Sequence, residues 1–178
     1  GASNVAVGFL ALDANTTAAE NTAVGTSSMS ATTTGASNAA FGTDSLAANT
    51  TGASNTALGA YSLDANTTAS NNTAVGVHSL GANTTGTQNV AVGQNAGAAV
   101  TTGTRNTIVG TLAGDAITTG ANNEAFGYGA LTTNILGSRS TAIGTAALLT
   151  QNPASATDMY NVAVGYEAGV ALTTGVQN

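Results

Sequence analysis

The sequence predicts an all-β protein, a parallel β-solenoid (β-roll) of about ten coils of 17 residues. Three observations predict this fold. A five-residue motif recurs at a fixed interval along the chain, the motif has the residue pattern of a β-strand, and large aliphatic side chains exchange between two fixed positions of the repeat. Self-similarity at a fixed period is the signature of repeat architectures, in which each unit contacts mainly its neighbours.

The motif is Asn, a variable residue, Ala, a large apolar residue and Gly, as in residues 4–8, and positions are counted from its Asn. Residues 1–178 form a single repeat array. Nine units hold 17 residues, and the unit that begins at 140 carries a four-residue insertion within 150–160. Gly occupies position 5 of every unit. The units begin at residues 4, 21, 38, 55, 72, 89, 106, 123, 140 and 161.

The five-residue motif is predicted to form a strand, because position 2 is Thr or Val in eight of ten units and β-branched residues favour strands. A second run, exemplified by residues 62–66, also alternates and predicts a second strand in each coil. Two short strands and two turns then complete one circuit. Coils stacked about 4.8 Å apart give a rod of roughly 50 Å.

Two sets of large side chains, those of position 4 and those of position 9, are predicted to fill the interior. If position 4 points inward, alternation along the strand points the Ala of position 3 away from the interior. The flat, uncharged faces at positions 2 and 3 would aggregate if left in water, so we expect lateral association of identical chains about an axis along the rod. The predicted core is position 4 (Val7, Val24, Phe41, Leu58, Val75, Val92, Val109, Phe126, Ile143 and Val164) and position 9 (Leu12, Leu46, Leu63, Leu80, Leu131 and Leu148).

Positions 9 and 12 exchange a large side chain. Units with Leu or Met at position 9 carry a polar residue at position 12, as Leu63 and Asn66 do. The three units with Gly at position 9 carry an aliphatic residue at position 12. Close packing requires a constant interior volume, so both positions are predicted to reach the same interior, with a local backbone change between the two kinds of coil. The exchanged pairs are Gly97 and Val100, Gly114 and Ile117, and Gly169 and Leu172.

Composition excludes several functional classes. The 178 residues include two Arg, no Lys and no Cys, and the formal net charge is −6. We therefore expect no nucleic-acid partner, which requires clustered cations, and no disulfide or thiolate chemistry. No run of about 18 apolar residues is present, so this segment is not expected to insert into a membrane.

The ionisable residues do not form a recognisable reaction centre. His78 has no second His and no Cys near it in phase with the repeat, which argues against a catalytic triad or a zinc site. Asp13, Asp64 and Asp115 share position 10 but recur only every third coil, too far apart to share a cation. We expect no catalytic residue, no metal and no cofactor, and the protein is predicted not to be an enzyme.

The insertion is the one segment that breaks the repeat, and it is the candidate ligand loop. Pro153 cannot join a central ladder of hydrogen bonds, so the segment is predicted to loop outward. Met159 and Tyr160 add large groups to a surface of small residues, and loops on rigid scaffolds often bind ligands. The alternative is an insertion that is tolerated and contacts nothing.

The motifs at 4–8, 89–93 and 161–165 (Asn-Val-Ala-Val-Gly) and at 21–25 and 72–76 (Asn-Thr-Ala-Val-Gly) resemble the head repeats of trimeric autotransporter adhesins. They are also similar to repeats in bacteriophage tail fibres, and the resemblance includes the Ala-Asn-Thr-Thr-Gly spacers. It covers essentially the whole chain. It implies a left-handed β-roll, assembled as a homotrimer and located outside the cell, on a bacterial surface or a virion.

The expected function is therefore a structural and adhesive segment of a trimeric fibre that attaches to a host receptor or glycan. Neither end of the array shows a polar capping repeat, so we expect end-to-end stacking or continuation in a longer fibre. The alternative function is ice binding by a Thr-rich solenoid. The paired threonines at positions 13 and 14 argue against it, because adjacent residues of a strand point to opposite faces.

Overall fold

The computed structural model describes residues 1–178 as an all-β chain without helices. Ten strands stack in one parallel sheet, and two short strands, β9 (Gly137–Ser138) and β11 (Thr157–Asp158), pair with each other. The sheet strands follow one another in chain order. They are β1 (Val5–Val7), β2 (Thr22–Val24), β3 (Ala39–Phe41), β4 (Thr56–Leu58), β5 (Thr73–Val75), β6 (Val90–Val92), β7 (Thr107–Val109), β8 (Glu124–Phe126), β10 (Thr141–Ile143) and β12 (Val162–Val164).

The register of the sheet follows the repeat. Equal positions of consecutive units are paired, as Val75 is with Val92. The register holds across the insertion, where Ile143 pairs with Val164 although 21 residues separate them. The backbone thus completes about nine turns from β1 to β12, and the predicted parallel β-solenoid is confirmed.

The second predicted strand is wrong, because positions 6–11 form a chain of turns. In the coil that begins at Asn55, the Ser62 amide donates to the Gly59 carbonyl three residues earlier, at 3.3 Å. Tyr61 and Leu63 have φ angles of 58° and 50°, which interrupt an extended strand. The amides still reach the next coil, since Leu63 N–H donates to the Ser79 carbonyl at 3.1 Å. Stacking therefore continues through this segment without strand geometry.

The predicted orientation of the strand is also wrong. The Ala of position 3 faces the interior, where Ala57 and Ala74 are fully buried, and position 4 faces outward. Val7 is 57% exposed, Leu58 48% and Val164 66%. The coil is thin, and large side chains from the turn segment already fill it, so only a small residue fits on the facing strand. The position-4 side chains that are outside rather than in the core are Val7, Val24, Phe41, Leu58, Val75, Val92, Val109, Phe126, Ile143 and Val164.

The position-9 side chains line the interior. They form one continuous cluster with the alanines of position 3 along the rod. Met29 belongs to the same row. The buried leucines of this row are Leu12, Leu46, Leu63, Leu80, Leu131 and Leu148.

The exchange between positions 9 and 12 is a packing exchange without a backbone change. Val100 and Ile117 are fully buried. A Cβ atom added to Gly97 would lie 3.4 Å from Val100 Cγ2, and one added to Gly114 would lie 2.9 Å from Ile117 Cδ1. The φ angle of Gly97 is 58° and that of Leu80 is 50°, so the expected local difference between the two kinds of coil is absent.

The glycine of position 5 is required by the stacking itself. Its φ angle lies between 131° and 139° in all ten units, a region that side chains rarely tolerate. A Cβ atom on Gly59 would lie 2.6 Å from the carbonyl carbon and oxygen of Gly76 in the next coil. Only glycine allows the backbones of consecutive coils to approach this closely.

Candidate functional surface

A ladder of buried amides holds the corner before each strand. Asn72 Nδ2 donates to the Gly86 carbonyl of its own coil at 2.9 Å. Its Oδ1 accepts the backbone N–H of Asn89, at position 1 of the next coil, at 3.0 Å. The same pair of bonds recurs along the array, so the Asn of position 1 fixes both the corner and the stacking of coils. The strand face beside it is held in a regular, rigid register.

The outward side chains of positions 2 and 4 form a continuous apolar surface over the ten-stranded sheet, which we call the outer face. Its twenty positions carry one charged residue, Glu124. The side chains of position 6 flank it, and several of these are also large and exposed, such as Phe9 and Tyr128. The exposed large residues of the outer face are Val5, Val7, Phe41, Leu58, Val90, Phe126, Ile143, Val162 and Val164.

The remaining acidic residues lie away from the outer face. Three occupy position 10, two occupy position 7, one occupies position 17 and one belongs to the insertion. The chain carries a formal net charge of −6, so copies repel each other except where charge is sparse. The outer face is such a region. The seven acids are Asp13, Asp64, Asp115, Asp44, Glu167, Glu20 and Asp158.

The insertion contributes less to the surface than its sequence suggests. Pro153 and Met159 are buried, and Tyr160 is 46% exposed. Met159 Cγ lies 3.2 Å from where a Cβ atom on Gly137 would be, so the Met159 side chain packs against the corner of the preceding coil. The predicted role of Pro153 and Met159 in ligand contact is wrong, because both residues are buried. Asn152, residues 154–156, Asp158 and Tyr160 are the parts that a ligand can reach.

The insertion is fastened to the preceding coil. Strand β11 pairs with β9, and Arg139 Nε lies 3.1 Å from Asp158 Oδ1. The guanidinium of Arg139 also lies over the Tyr160 ring, 5.5 Å from its centroid, in a cation–π contact. Both charged side chains are about half exposed. The loop is therefore anchored, and its exposed tip is short.

Two substitutions compensate for each other inside this coil. Ser140 replaces the Asn of position 1, and the longer Gln151 replaces the Asn of position 12. Gln151 Nε2 donates to Ser140 Oγ at 2.9 Å, and Asn161 Nδ2 donates to Gln151 Oε1 at 2.9 Å. The longer amide thus spans the gap that the shorter serine leaves, and the polar corner stays hydrogen-bonded.

The single histidine stacks on a tyrosine of the neighbouring coil. The rings of Tyr61 and His78 are 4.9 Å apart between centroids and inclined by 8°. Burial raises the pKa of the nearby Asp64, an effect that His78 partly offsets and Asp44 adds to. Burial also raises the pKa of Asp115. These carboxyls lie at the same position of different coils and form no shared site.

The two threonine rows differ in their hydrogen bonds. At position 13, Thr67 Oγ1 donates to the Thr84 carbonyl at 3.3 Å, and Thr84 Oγ1 donates to the Thr101 carbonyl at 3.2 Å. The position-13 hydroxyls therefore serve the stacking of coils. The threonines of position 14 are exposed in seven consecutive coils, at Thr17, Thr34, Thr51, Thr68, Thr85, Thr102 and Thr119.

No ligand-sized pocket opens in the structure, and no three His, Cys, Asp or Glu side chains converge as metal ligands would. No helix with the length and apolarity of a membrane span is present. The most extended feature available for recognition is the outer face. The alternation of the motif reveals this face only once the orientation of the strand is known.

Comparison with known proteins adds no relative. No family model matches the chain, and no curated protein or solved structure matches it.

Proposed function

We propose that the chain is a structural and adhesive segment of an extracellular trimeric fibre, such as a surface adhesin head or a phage tail-fibre shaft. The observation that carries this proposal is the outer face, an exposed apolar surface that runs the whole length of the sheet. Monomeric soluble proteins rarely leave such a surface in water. The resemblance of the motifs to adhesin and tail-fibre repeats points to a left-handed homotrimer.

The outer face and its flank suit self-association in size. The three-residue strands span about 10 Å and ten of them span about 48 Å, which gives about 480 Å². The flanking side chains of position 6 extend this area toward the roughly 800 Å² that each partner buries in a standard interface. A second copy also has the same axial repeat, so its rows of side chains match along the whole rod. A globular partner has no such repeat.

Three parallel chains around an axis along the rod would cover their outer faces and leave the turn segments and threonine rows in solvent. Such an assembly would present every exposed feature three times. Weak contacts with a receptor or glycan then gain strength through effective concentration. The reachable part of the insertion, including Tyr160, is the candidate contact in each copy.

The test is the mass of the assembly in solution. Sedimentation of the wild-type chain should give the mass of three chains, and Leu58→Lys on the outer face should dissociate it. Thr68→Lys adds the same charge to the exposed threonine row of the same coil and should leave the trimer intact. A folded wild-type monomer in dilute buffer would contradict the proposal. Binding of the trimer, compared with the Leu58→Lys monomer, to a glycan array or to cells tests the adhesive role.

The exposed position-14 threonines favour a second candidate, ice binding. They form a row repeated about every 4.8 Å over seven coils. A flat array of two rows would be needed, and the position-13 hydroxyls are bound to backbone carbonyls instead. Thermal hysteresis of the purified chain decides between the two functions.

A further inference from the structure

Glu124 is the one charged side chain of the outer face. It lies at position 2 of β8, where eight of the ten units have Thr or Val. Its partners in the register of the sheet are Thr107 of β7 and Thr141 of β10. Thr141 Oγ1 donates to Glu124 Oε2 at 3.0 Å, which holds the carboxylate against the face.

No cation lies within ion-pair distance of this carboxylate. The strands on either side present Thr107 and Thr141, which do not titrate near neutral pH. Tyr128 is the nearest titratable residue further along the same coil. Arg139, two residues before Thr141, is paired with Asp158, and Arg105, two residues before Thr107, donates to Gln88 Oε1 at 3.4 Å. Glu124 therefore has a hydroxyl partner and no charge partner.

We infer that Glu124 weakens self-association through the outer face and makes this association tighten on acidification. The inference rests on the proposed function. In a parallel assembly about an axis along the rod, equal residues of each copy lie at the same height. The Glu124 carboxylates then approach one another in a region with little water, where like charges repel and each loses solvation. Protonation removes both costs.

The experiment measures the association constant of the full chain by sedimentation equilibrium at about pH 7.5 and about pH 4, above and below the ordinary glutamate pKa of about 4.3. Glu124→Gln removes the charge and keeps an oxygen that accepts from Thr141. The expected result at the higher pH is association at least about tenfold tighter than that of the wild type. The variant should also lose most of the tightening that the wild type shows at the lower pH.

The matched control is Glu20→Gln. Glu20 also accepts a hydroxyl hydrogen bond from the next coil, since Ser37 Oγ donates to Glu20 Oε2 at 3.1 Å, but it lies at position 17, off the outer face. This control makes the same change in net charge. It should associate like the wild type at both pH values. Glu124→Thr, the commonest residue of the row, provides a second variant if the first folds poorly by circular dichroism.

The outcomes separate the inference from the proposed function. If wild type and both Glu124 variants assemble with equal affinity and equal pH response, the inference is wrong and the fibre proposal stands. If Glu20→Gln tightens association as much as Glu124→Gln, net charge alone is responsible and the inference is again wrong. If no chain assembles at any concentration, both the proposed function and the inference are overturned.

Discussion

Ile108 occupies interior volume that a side chain at Gly97 would need. A Cβ atom on Gly97 would lie 3.0 Å from Ile108 Cδ1, and one on Gly114 would lie 3.2 Å from the same atom. Ile108 is the one large residue at position 3, where the other nine units have Ala. It fits because its own coil and the preceding coil have Gly at position 9.

This relationship predicts that Gly97→Leu alone destabilises the chain by about 1–3 kcal/mol, through overpacking. Ile108→Ala alone should cost about 2–4 kcal/mol, because it leaves a cavity. The triple variant Gly97→Leu, Val100→Asn, Ile108→Ala restores the commoner pattern of Leu at position 9, Asn at position 12 and Ala at position 3. It should recover most of the stability that the single variants lose. Urea unfolding measures all three. Additive losses in the triple variant would show that these positions do not share one interior site.

The same triple variant repairs a polar defect. Asn83 Nδ2 donates to Asn66 Oδ1 at 3.1 Å, but Asn83 Oδ1 is buried without a partner because the next coil has Val100 at this position. An asparagine at position 100 would donate to it. We therefore expect the triple variant to be more stable than the double variant Gly97→Leu, Ile108→Ala, which keeps Val100. The expected difference is about 1 kcal/mol, the net contribution of a typical hydrogen bond to stability.

Substitution of a position-5 glycine should be poorly tolerated. Gly59→Ala places a methyl group against the Gly76 backbone at a φ angle of 139° and should cost about 1–3 kcal/mol in unfolding free energy. Gly81→Ala is the matched control. Its φ is not in the left-handed region, and its closest contact would be the flexible Asp64 carboxyl at 3.2 Å. Equal losses in the two variants would contradict the stacking argument.

Acidification should stabilise the fold through Asp64 and Asp115. Burial raises the pKa of both carboxyls in the folded chain, so folding favours their protonated forms. Their contribution is greatest below the unfolded-state pKa and is lost as the pH rises through the folded-state pKa. Asp115→Asn should therefore raise Tm at neutral pH and reduce its pH dependence. Asp13→Asn is the control in thermal unfolding, because Asp13 occupies the same position of the repeat but is exposed.

The buried methionine of the insertion should matter for stability and its surface ion pair should not. Met159→Ala should cost about 2–4 kcal/mol, because it leaves a cavity at the buried corner beside Gly137. Arg139→Ala removes a half-exposed ion pair and should cost less than about 1 kcal/mol. A negligible effect of Met159→Ala in urea unfolding would contradict the tight packing of this buried side chain.

The sequence by itself determined the period, the position of the strand in each unit, the place of the insertion and the exchange between positions 9 and 12. Each of these depends on regularities along the chain, such as the recurrence of Gly59 and Gly76 at position 5. The outer face and Glu124 as its one charge could not be read in the same way. They required knowing which side of the strand faces inward.

Only the tertiary structure decided that orientation. Alternation shows that Ala57 and Leu58 point to opposite sides, but both orientations satisfy it equally well. The choice depends on the width of the coil, which is set by the turns at Tyr61 and Leu63 and is too small for large side chains from both walls. Leu63 fills the interior, so the alanine of the facing strand turns inward and the large residue beside it is left on the surface.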